Sequence, residues 1–262
     1  MMKKVILVRH GQSLWNLEKR FTGWVDVDLT DNGKLEAKKS GELIKKEQLN
    51  IDLTEKGKLE AEKAGSLIKN KKIKIDLYYS SLQLRANNTL KIIQKVLNDK
   101  KNFNKAWQFN ERNYGALTGL NKIEIIKKLG KDKVHKFRRS WNVKPEPLSK
   151  ESPYHPLNIE TYKKVPKKMI PDTESLKDTY ERVVEYYEKE IKKFLKNKNI
   201  LISAHGNSIR ALCKYLFKLN NNQISNLEIP TGNPLLIELD KNHKIKNCEY
   251  LDKERAKNLL VF

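Results

Sequence analysis

Directly after a short apolar run the chain reads Leu7-Val8-Arg9-His10-Gly11-Gln12-Ser13, and after a second apolar run it reads Ser203-Ala204-His205-Gly206-Asn207-Ser208. Each His-Gly pair falls where a strand should give way to a loop. In an α/β sheet, ligands collect at the carboxyl ends of the strands. Two histidines delivered to one rim, the first preceded by an arginine, suit the passage of a phosphoryl group through imidazole. Arg9 offers planar, bidentate recognition of phosphate. His10 offers a nucleophile that is neutral near pH 7. The turn from His205-Gly206 into a helix near Ser208 also offers backbone N–H groups to an anion.

The elements that must position these residues can be read from periodicity. Residues 3–8 form a continuous apolar run and predict a buried strand ending at Arg9-His10. Ile75–Ser80 predicts a second strand, followed by a helix over about 82–97. Shorter helices are expected over 121–129 and 133–139, and a long one over about 173–195. Ile200–Ile202 is a central strand into His205, with a helix over 208–216 and closing strands over 234–239 and 245–251. The proline-rich segment 142–171 reads as an ordered excursion within one domain, 1–262. Strands alternating with helices predict an α/β three-layer sandwich, a mostly parallel sheet with helices on both faces.

Composition narrows the classes. With 262 residues, 38% hydrophobic and 33% charged, the chain lies on the polar side of globular. No stretch approaches transmembrane length, and Val5–Val8 is too short for a signal-peptide core, so a cytoplasmic protein without a membrane partner is expected. Cys213 and Cys248 have no metal-ligand spacing and give no disulfide framework, which fits a reducing compartment. The net charge of +22 raises nucleic-acid binding. Its lysines are scattered over helices without an aromatic-interleaved strip, so a basic surface around an anion-binding enzyme is the better reading, with no nucleic-acid partner. His135, His155 and His243 lack motif context and read as surface residues; Cys213 reads as core.

One feature interrupts the order of elements. Residues 28–51 (DLTDNGKLEAKKSGELIKKEQLNI) are followed at once by 52–75 (DLTEKGKLEAEKAGSLIKNKKIKI), with 14 identities in 24 positions. Each copy is a turn plus one amphipathic helix. Two copies are too few for a solenoid, so this is a tandem duplication inside a single-copy fold. The first copy follows Arg20–Trp24 without a break. It is therefore expected to be the native helix, with residues 52–75 as an added helix far from the site, packing on the body or mediating self-association as a homodimer.

Several stretches, in order along nearly the whole chain, resemble the cofactor-dependent phosphoglycerate mutases of the histidine phosphatase superfamily: LVRHGQSLWN (7–16), RFTGW (20–24), NERNYGALTGLNK (110–122), FRRS (137–140), TESL (173–176), AHGNSIRA (204–211) and IPTGNP (229–234). The resemblance implies that His10 carries the transferable phosphoryl group, with Arg9, Arg85 and His205 around it, and that Glu111 is the proton donor and acceptor. It implies that Asn16, Thr22, Gly23, Arg112, Tyr114, Lys122, Arg138, Arg139, Gly206 and Asn207 hold the phosphates and carboxylate of small phosphoglycerates. The implied reaction interconverts 3-phosphoglycerate and 2-phosphoglycerate, primed by 2,3-bisphosphoglycerate, without a metal. The physics agrees: charge spread over three phosphoryl oxygens can be neutralised by arginines, and a glutamate in a closed site can move the proton.

Three departures stand out besides the duplication. Gln12 and Asn113 replace the family's usual Glu and His. The C-terminal stretch is shorter than the family's flexible tail, which implies poorer closure and more loss of phosphate to water. Two other readings keep their place: a histidine-type phosphatase of the same superfamily, and an inactive interaction protein docking through the repeat.

Overall fold

In a computed structural model that describes residues 2–26 and 52–257, strand β1 (Lys3–Arg9) is apolar on both faces, and each face has its own layer. Successive side chains of a strand point to opposite sides of the sheet. Val5 and Leu7 join the core beneath α6 (Leu176–Tyr186) and α7 (Gly206–Leu216). Ile6 and Val8 join the core beneath α2 (Glu55–Asn70) and α3 (Leu84–Leu97). A strand buried on both faces reads as a continuous apolar run, as 3–8 does.

The other strands are β2 (Leu77–Ser80), β3 (Asn104–Lys105), β4 (Ile200–Ala204), β5 (Leu235–Leu239) and β6 (Ile245–Tyr250), in the order β3-β2-β4-β1-β5-β6. β3, β2, β4 and β1 are mutually parallel, and β5 is antiparallel to both its neighbours. The remaining α-helices among the described residues are α1 (Leu14–Leu17), α4 (Lys122–Leu129), α5 (Lys131–Arg139) and α8 (Asn221–Asn226). This is the expected sandwich with a mostly parallel sheet. The long helix begins at Leu176, where Ser175 and Asp178 form a capping box, and continues past Tyr186 through a π-helical turn to Lys196. No helix among the described residues is long and apolar enough to cross a membrane.

The proline-rich excursion is ordered. Ile159, Tyr162 and Val165 cluster on Trp24, and the Tyr162 hydroxyl donates to the Trp24 carbonyl. His155, expected on the surface, is instead fully buried. Its Nε2 lies 3.0 Å from Asp172 Oδ1 and its Nδ1 accepts from the Leu157 N–H at 3.2 Å, so it ties the middle of the excursion to its C-terminal end. Cys213 is buried as expected.

The duplication resolves against expectation. The second copy forms α2 in the core, where Ala64 and Ile68 pack with Ile6, Val8, Tyr78, Leu90 and Ile93. The first copy, 28–51, lies outside the described residues, as do residues 258–262 of the C-terminal stretch. Nor is the second copy remote from the His10 loop. Thr54 N–H donates to the Gln12 carbonyl at 2.9 Å, and Leu14 N–H to the Asp52 carbonyl at 3.2 Å. Gly57 and Gly11 meet backbone to backbone, so a Cβ on Gly11 would overlap the Gly57 carbonyl, and one on Gly57 the Gln12 carbonyl. The glycines recur at 33 and 41 and so do not distinguish the copies. Two contact positions do. Ala64, fully buried, corresponds to Ser40, which would bring a hydroxyl into an apolar cluster. Lys71, 2.5 Å from Glu249, corresponds to Glu47, which would set two carboxylates together. Loop continuity at Trp24 was thus the weaker criterion, and side-chain fit along the helix the stronger.

Deleting residues 28–51 should leave a cooperative fold that melts close to the full chain. Deleting 52–75 forces the first copy into the α2 position at a cost of about 1–2 kcal/mol, a melting temperature lower by roughly 2–8 °C. Thermal unfolding of the two deletions checks this; the reverse order of stability would contradict the assignment of α2.

Candidate active site

The parallel pairing of β1 with β4 sets Arg9 beside Ala204, and the His10 N–H donates to the Ala204 carbonyl at 2.9 Å. The two strand ends therefore release their histidines side by side, with ring centroids 5.0 Å apart and planes at 59°. α7 begins at Gly206, capped by Ser208 Oγ accepting from the His205 N–H at 3.1 Å. The helix N-terminus, with its positive end of the dipole, opens into the same place.

His10 has a defined tautomer. Its Nδ1 lies 2.7 Å from the Gly11 carbonyl, which can only accept, so Nδ1 carries the hydrogen and Nε2 keeps its lone pair. Burial, together with the charges of Arg85 and Arg9, holds its pKa well below the ordinary histidine value. The ring is neutral at pH 7. His205 is pushed the same way by burial, Arg85 and His10. Its Nε2 is 2.8 Å from Ser81 Oγ, while its buried Nδ1 has no hydrogen-bond partner.

The arginines are held by neutral carbonyls. Arg9 donates from Nη1 to the Ile229 carbonyl at 2.8 Å, leaving a buried Nε without a partner. Arg85, in the first turn of α3, donates to the carbonyls of Val25 and Gly23, both at 3.1 Å. Asp26 lies 3.9 Å from Arg85, but burial raises its carboxyl to about 7 despite that cation. Arg112 donates to the Phe137 carbonyl at 2.7 Å and covers the Tyr114 ring at 4.5 Å; its buried Nε and Nη1 have no partner.

Glu111 is fixed from two sides. Its N–H donates to Gln83 Oε1 at 2.8 Å. Its Oε1 accepts from the Arg112 N–H (2.8 Å), the Asn207 N–H (3.2 Å) and Asn207 Nδ2 (2.9 Å), leaving Oε2 to exchange a proton. Behind it, the buried Arg182 donates to the carbonyls of Asn110 and Glu111, both at 3.1 Å, and is itself clasped by Glu174 at 2.6 and 3.0 Å. Glu174 also takes the Asn113 N–H at 2.8 Å. Asn113 braces the loop further, donating to the Pro171 carbonyl at 2.6 Å.

A cleft of about 150 Å³ is lined by Arg9, Asn16, Thr22, Glu111, Tyr114, Lys122, Arg138, Arg139, Gly206 and Asn207, all expected from the sequence. His10, His205, Arg85, Gly23 and Arg112 are expected site residues that do not line it; His10 packs on His205, Arg85 donates to Gly23, and the Arg112 N–H donates to the lining Glu111. Gly23 works through its carbonyl, which accepts from both Arg85 and Gln83. Arg139 is turned onto Glu228. Lys122 is brought below its ordinary pKa by burial and by Arg138 and Arg9, with its Nζ on the Arg20 carbonyl. Three lining residues were not expected, Arg210, Glu228 and Ile229. Arg210 could have been found in the stretch 204–211, because it falls three residues after Asn207 on one helix face. Its guanidinium is pulled down to about 9 by burial and by Arg139 and Arg112.

Comparison with known proteins identifies the family. The family model described as histidine phosphatase superfamily (branch 1) matches residues 5–51, 42–158 and 149–248, restarting at the duplication. A 2,3-bisphosphoglycerate-dependent phosphoglycerate mutase of Pelagibacter ubique is 64% identical over 262 residues, covering 100% of both chains. One of Borreliella afzelii is 43% identical, covering 99% of this chain and 96% of the relative. Among solved structures, a mycobacterial hydrolase superposes with a TM-score of 0.64 at 17% identity, covering 95% of this chain and 97% of the other. A mycobacterial glucosyl-3-phosphoglycerate phosphatase bound to VO3 gives 0.63 at 18% identity, covering 95% and 96%. At such identities these structures speak for the fold alone. Sequence, fold and site geometry thus agree that the chain belongs to branch 1 of the histidine phosphatase superfamily, within the family of the 2,3-bisphosphoglycerate-dependent phosphoglycerate mutases.

Proposed function

We propose that the chain interconverts 3-phosphoglycerate and 2-phosphoglycerate by passing a phosphoryl group through Nε2 of His10, with 2,3-bisphosphoglycerate as primer. The observation that carries this reading is the His10 imidazole, neutral, with Nδ1 tied to the Gly11 carbonyl and so with the lone pair left on Nε2, in the field of Arg85 and Arg9. The names of the full-length relatives support the choice of phosphoglycerates over other phosphoesters.

The cleft fits an anion with more than one charged end. Arg9, Lys122, Arg138, Arg139 and Arg210 line it against only Glu111 and Glu228. The unpartnered N–H groups of Arg9 and Arg112 are buried donors that an oxyanion would satisfy. Bound there, 2,3-bisphosphoglycerate would supply the phosphoryl group that loads His10.

His10 Nε2 takes up the phosphoryl group while Nδ1–H stays on the Gly11 carbonyl, which steadies the positive charge gained by the ring. Arg9, Arg85 and the N-terminus of α7 neutralise charge on the phosphoryl oxygens; losing one such donor typically costs about 10²–10³ in rate. Glu111 takes the proton from the glycerate hydroxyl that accepts the group and returns it to the hydroxyl that is freed. His205, neutral and packed on His10, completes the pocket around the transferring group.

The direct test is turnover of 3-phosphoglycerate to 2-phosphoglycerate with and without added 2,3-bisphosphoglycerate. Turnover should depend on the primer and survive EDTA. Release of phosphate without formation of 2-phosphoglycerate would favour the phosphatase reading. Recovery only on adding magnesium after chelation would replace the arginines by a metal.

Two variants separate the roles. His10→Ala should neither turn over nor take label from 2,3-bisphosphoglycerate. Glu111→Gln should still take label while kcat falls by roughly 10²–10⁴. Equal labelling of His10→Ala, or near-normal kcat in Glu111→Gln, would move the role to another residue.

The sign of the histidine shift gives a pH prediction. With its folded pKa depressed, His10 stays neutral as pH falls through the ordinary value of about 6.5, so the labelling rate should stay flat from pH 8 to about 6. A fall centred near 6.5 would contradict the buried, neutral imidazole.

A further inference from the structure

We propose that Arg210 is a positioning residue for this reaction: by holding the side-chain carbonyl of Asn207, it decides which face of that amide meets Glu111. The proposal rests on the mutase reading above and extends it to a residue outside the resemblance's set of ligands. The two ends of an asparagine amide are nearly equal in shape and opposite in chemistry. Only the NH2 end can serve a carboxylate.

Arg210 lies one turn after Asn207 on α7, and its Nη1 donates to Asn207 Oδ1 at 2.9 Å. A guanidinium has donors and no acceptor, so it accepts nothing from a flipped amide. With Oδ1 so engaged, Nδ2 points the other way and donates to Glu111 Oε1 at 2.9 Å and to the Tyr114 hydroxyl at 3.1 Å. A flipped amide would set its oxygen against the Glu111 carboxylate and its NH2 against the guanidinium. Both contacts are repulsive. The lock thus keeps Oε1 saturated with donors and leaves Oε2 as the oxygen that handles the proton.

Arg210 is itself immobile. It is only 4% exposed, and Nη2 donates to the Ile224 carbonyl of α8. The charged and titratable groups facing it are Arg139 of α5, Arg112 and Tyr114 of the Glu111 loop, and Glu228 beyond α8. Two of these are cations, and one buried N–H of Arg210, Nε, has no partner. Packing alone gives no reason to bury a guanidinium here, since an apolar side chain would avoid the charge crowding. Orientation of Asn207 gives one.

The test is steady-state kinetics on the full chain with saturating 2,3-bisphosphoglycerate, with a melting curve for each variant. Arg210→Met should lower kcat on the order of 10²-fold, the usual cost of a misplaced catalytic group, with KM changed far less. Arg210→Lys, which keeps a donor, should recover part of that loss. In the Glu111→Gln background the further loss from Arg210→Met should shrink to about twofold or less, because a glutamine can pair with either face of the amide. Asn207→Asp keeps the Arg210 contact and removes the donor to Glu111, so it should lose kcat comparably; it decides the question if Arg210→Met does not fold. Near-normal kcat in Arg210→Met or in Asn207→Asp would overturn the proposal. So would an equal fold-loss from Arg210→Met with and without Glu111. A wild type that makes no 2-phosphoglycerate would overturn the mutase reading and this proposal with it, whereas wild-type turnover with unaffected variants counts against Arg210 alone.

Discussion

Everything at the site depends on the register of β1 against β4. The two strands pair in parallel from Val5 opposite Ile200 to Arg9 opposite Ala204, and every residue of β4 is buried. Slipping that register by one residue would exchange the side chains packed beneath α6 and α7 for those packed beneath α2 and α3, and so break the close packing of both layers. The packing of Ile6, Val8, Ile200 and Ile202 in their two layers therefore holds the register that decides where the chain leaves the sheet. Because both exits carry a histidine, the hydrophobic core places the chemistry. α2 then presses Gly57 on Gly11 and sets the path of the loop beyond His10.

The second constraint is how the cations are held. Arg9, Arg85, Arg112 and Arg210 each take backbone carbonyls as partners: Ile229, Gly23 and Val25, Phe137, and Ile224. A carbonyl fixes a guanidinium's direction without cancelling its charge. A carboxylate would have cancelled it, and the one nearest Arg85, Asp26, is itself raised to about 7. The cleft keeps its positive potential for an anion, and burial together with that potential keeps His10 and His205 neutral. Buried cations without counter-charges destabilise a fold, and here that cost coincides with a site preorganised for phosphate.

Much of this was legible in the chain, because the site sits on contiguous motifs at strand ends. The His-Gly pairs, Arg9 and the Glu111 stretch carry their own local signal, and the strand and helix periods predict the layers that bring them together. What escaped prediction depends on contacts distant in sequence. His155 reads as a lone polar residue until Asp172 is seen beside it. β3 has only two residues and exists through pairing with β2. Which copy of the duplication fills the core was misjudged from chain continuity, whereas Ala64 and Lys71 identify the fitting copy only once their neighbours are known. Arg210 lay inside a recognised motif, yet its bond to Asn207 is a side-chain matter that spacing alone suggests without showing.

The central claim is that the Gly11 carbonyl chooses the reacting nitrogen of His10. Phosphorus and nitrogen NMR of the full chain, labelled with 15N-histidine and loaded with 2,3-bisphosphoglycerate, reads this directly. The account predicts one phosphohistidine, at His10, with phosphorus on Nε2 and hydrogen retained on Nδ1. Phosphorus on Nδ1, or on His205, would contradict it.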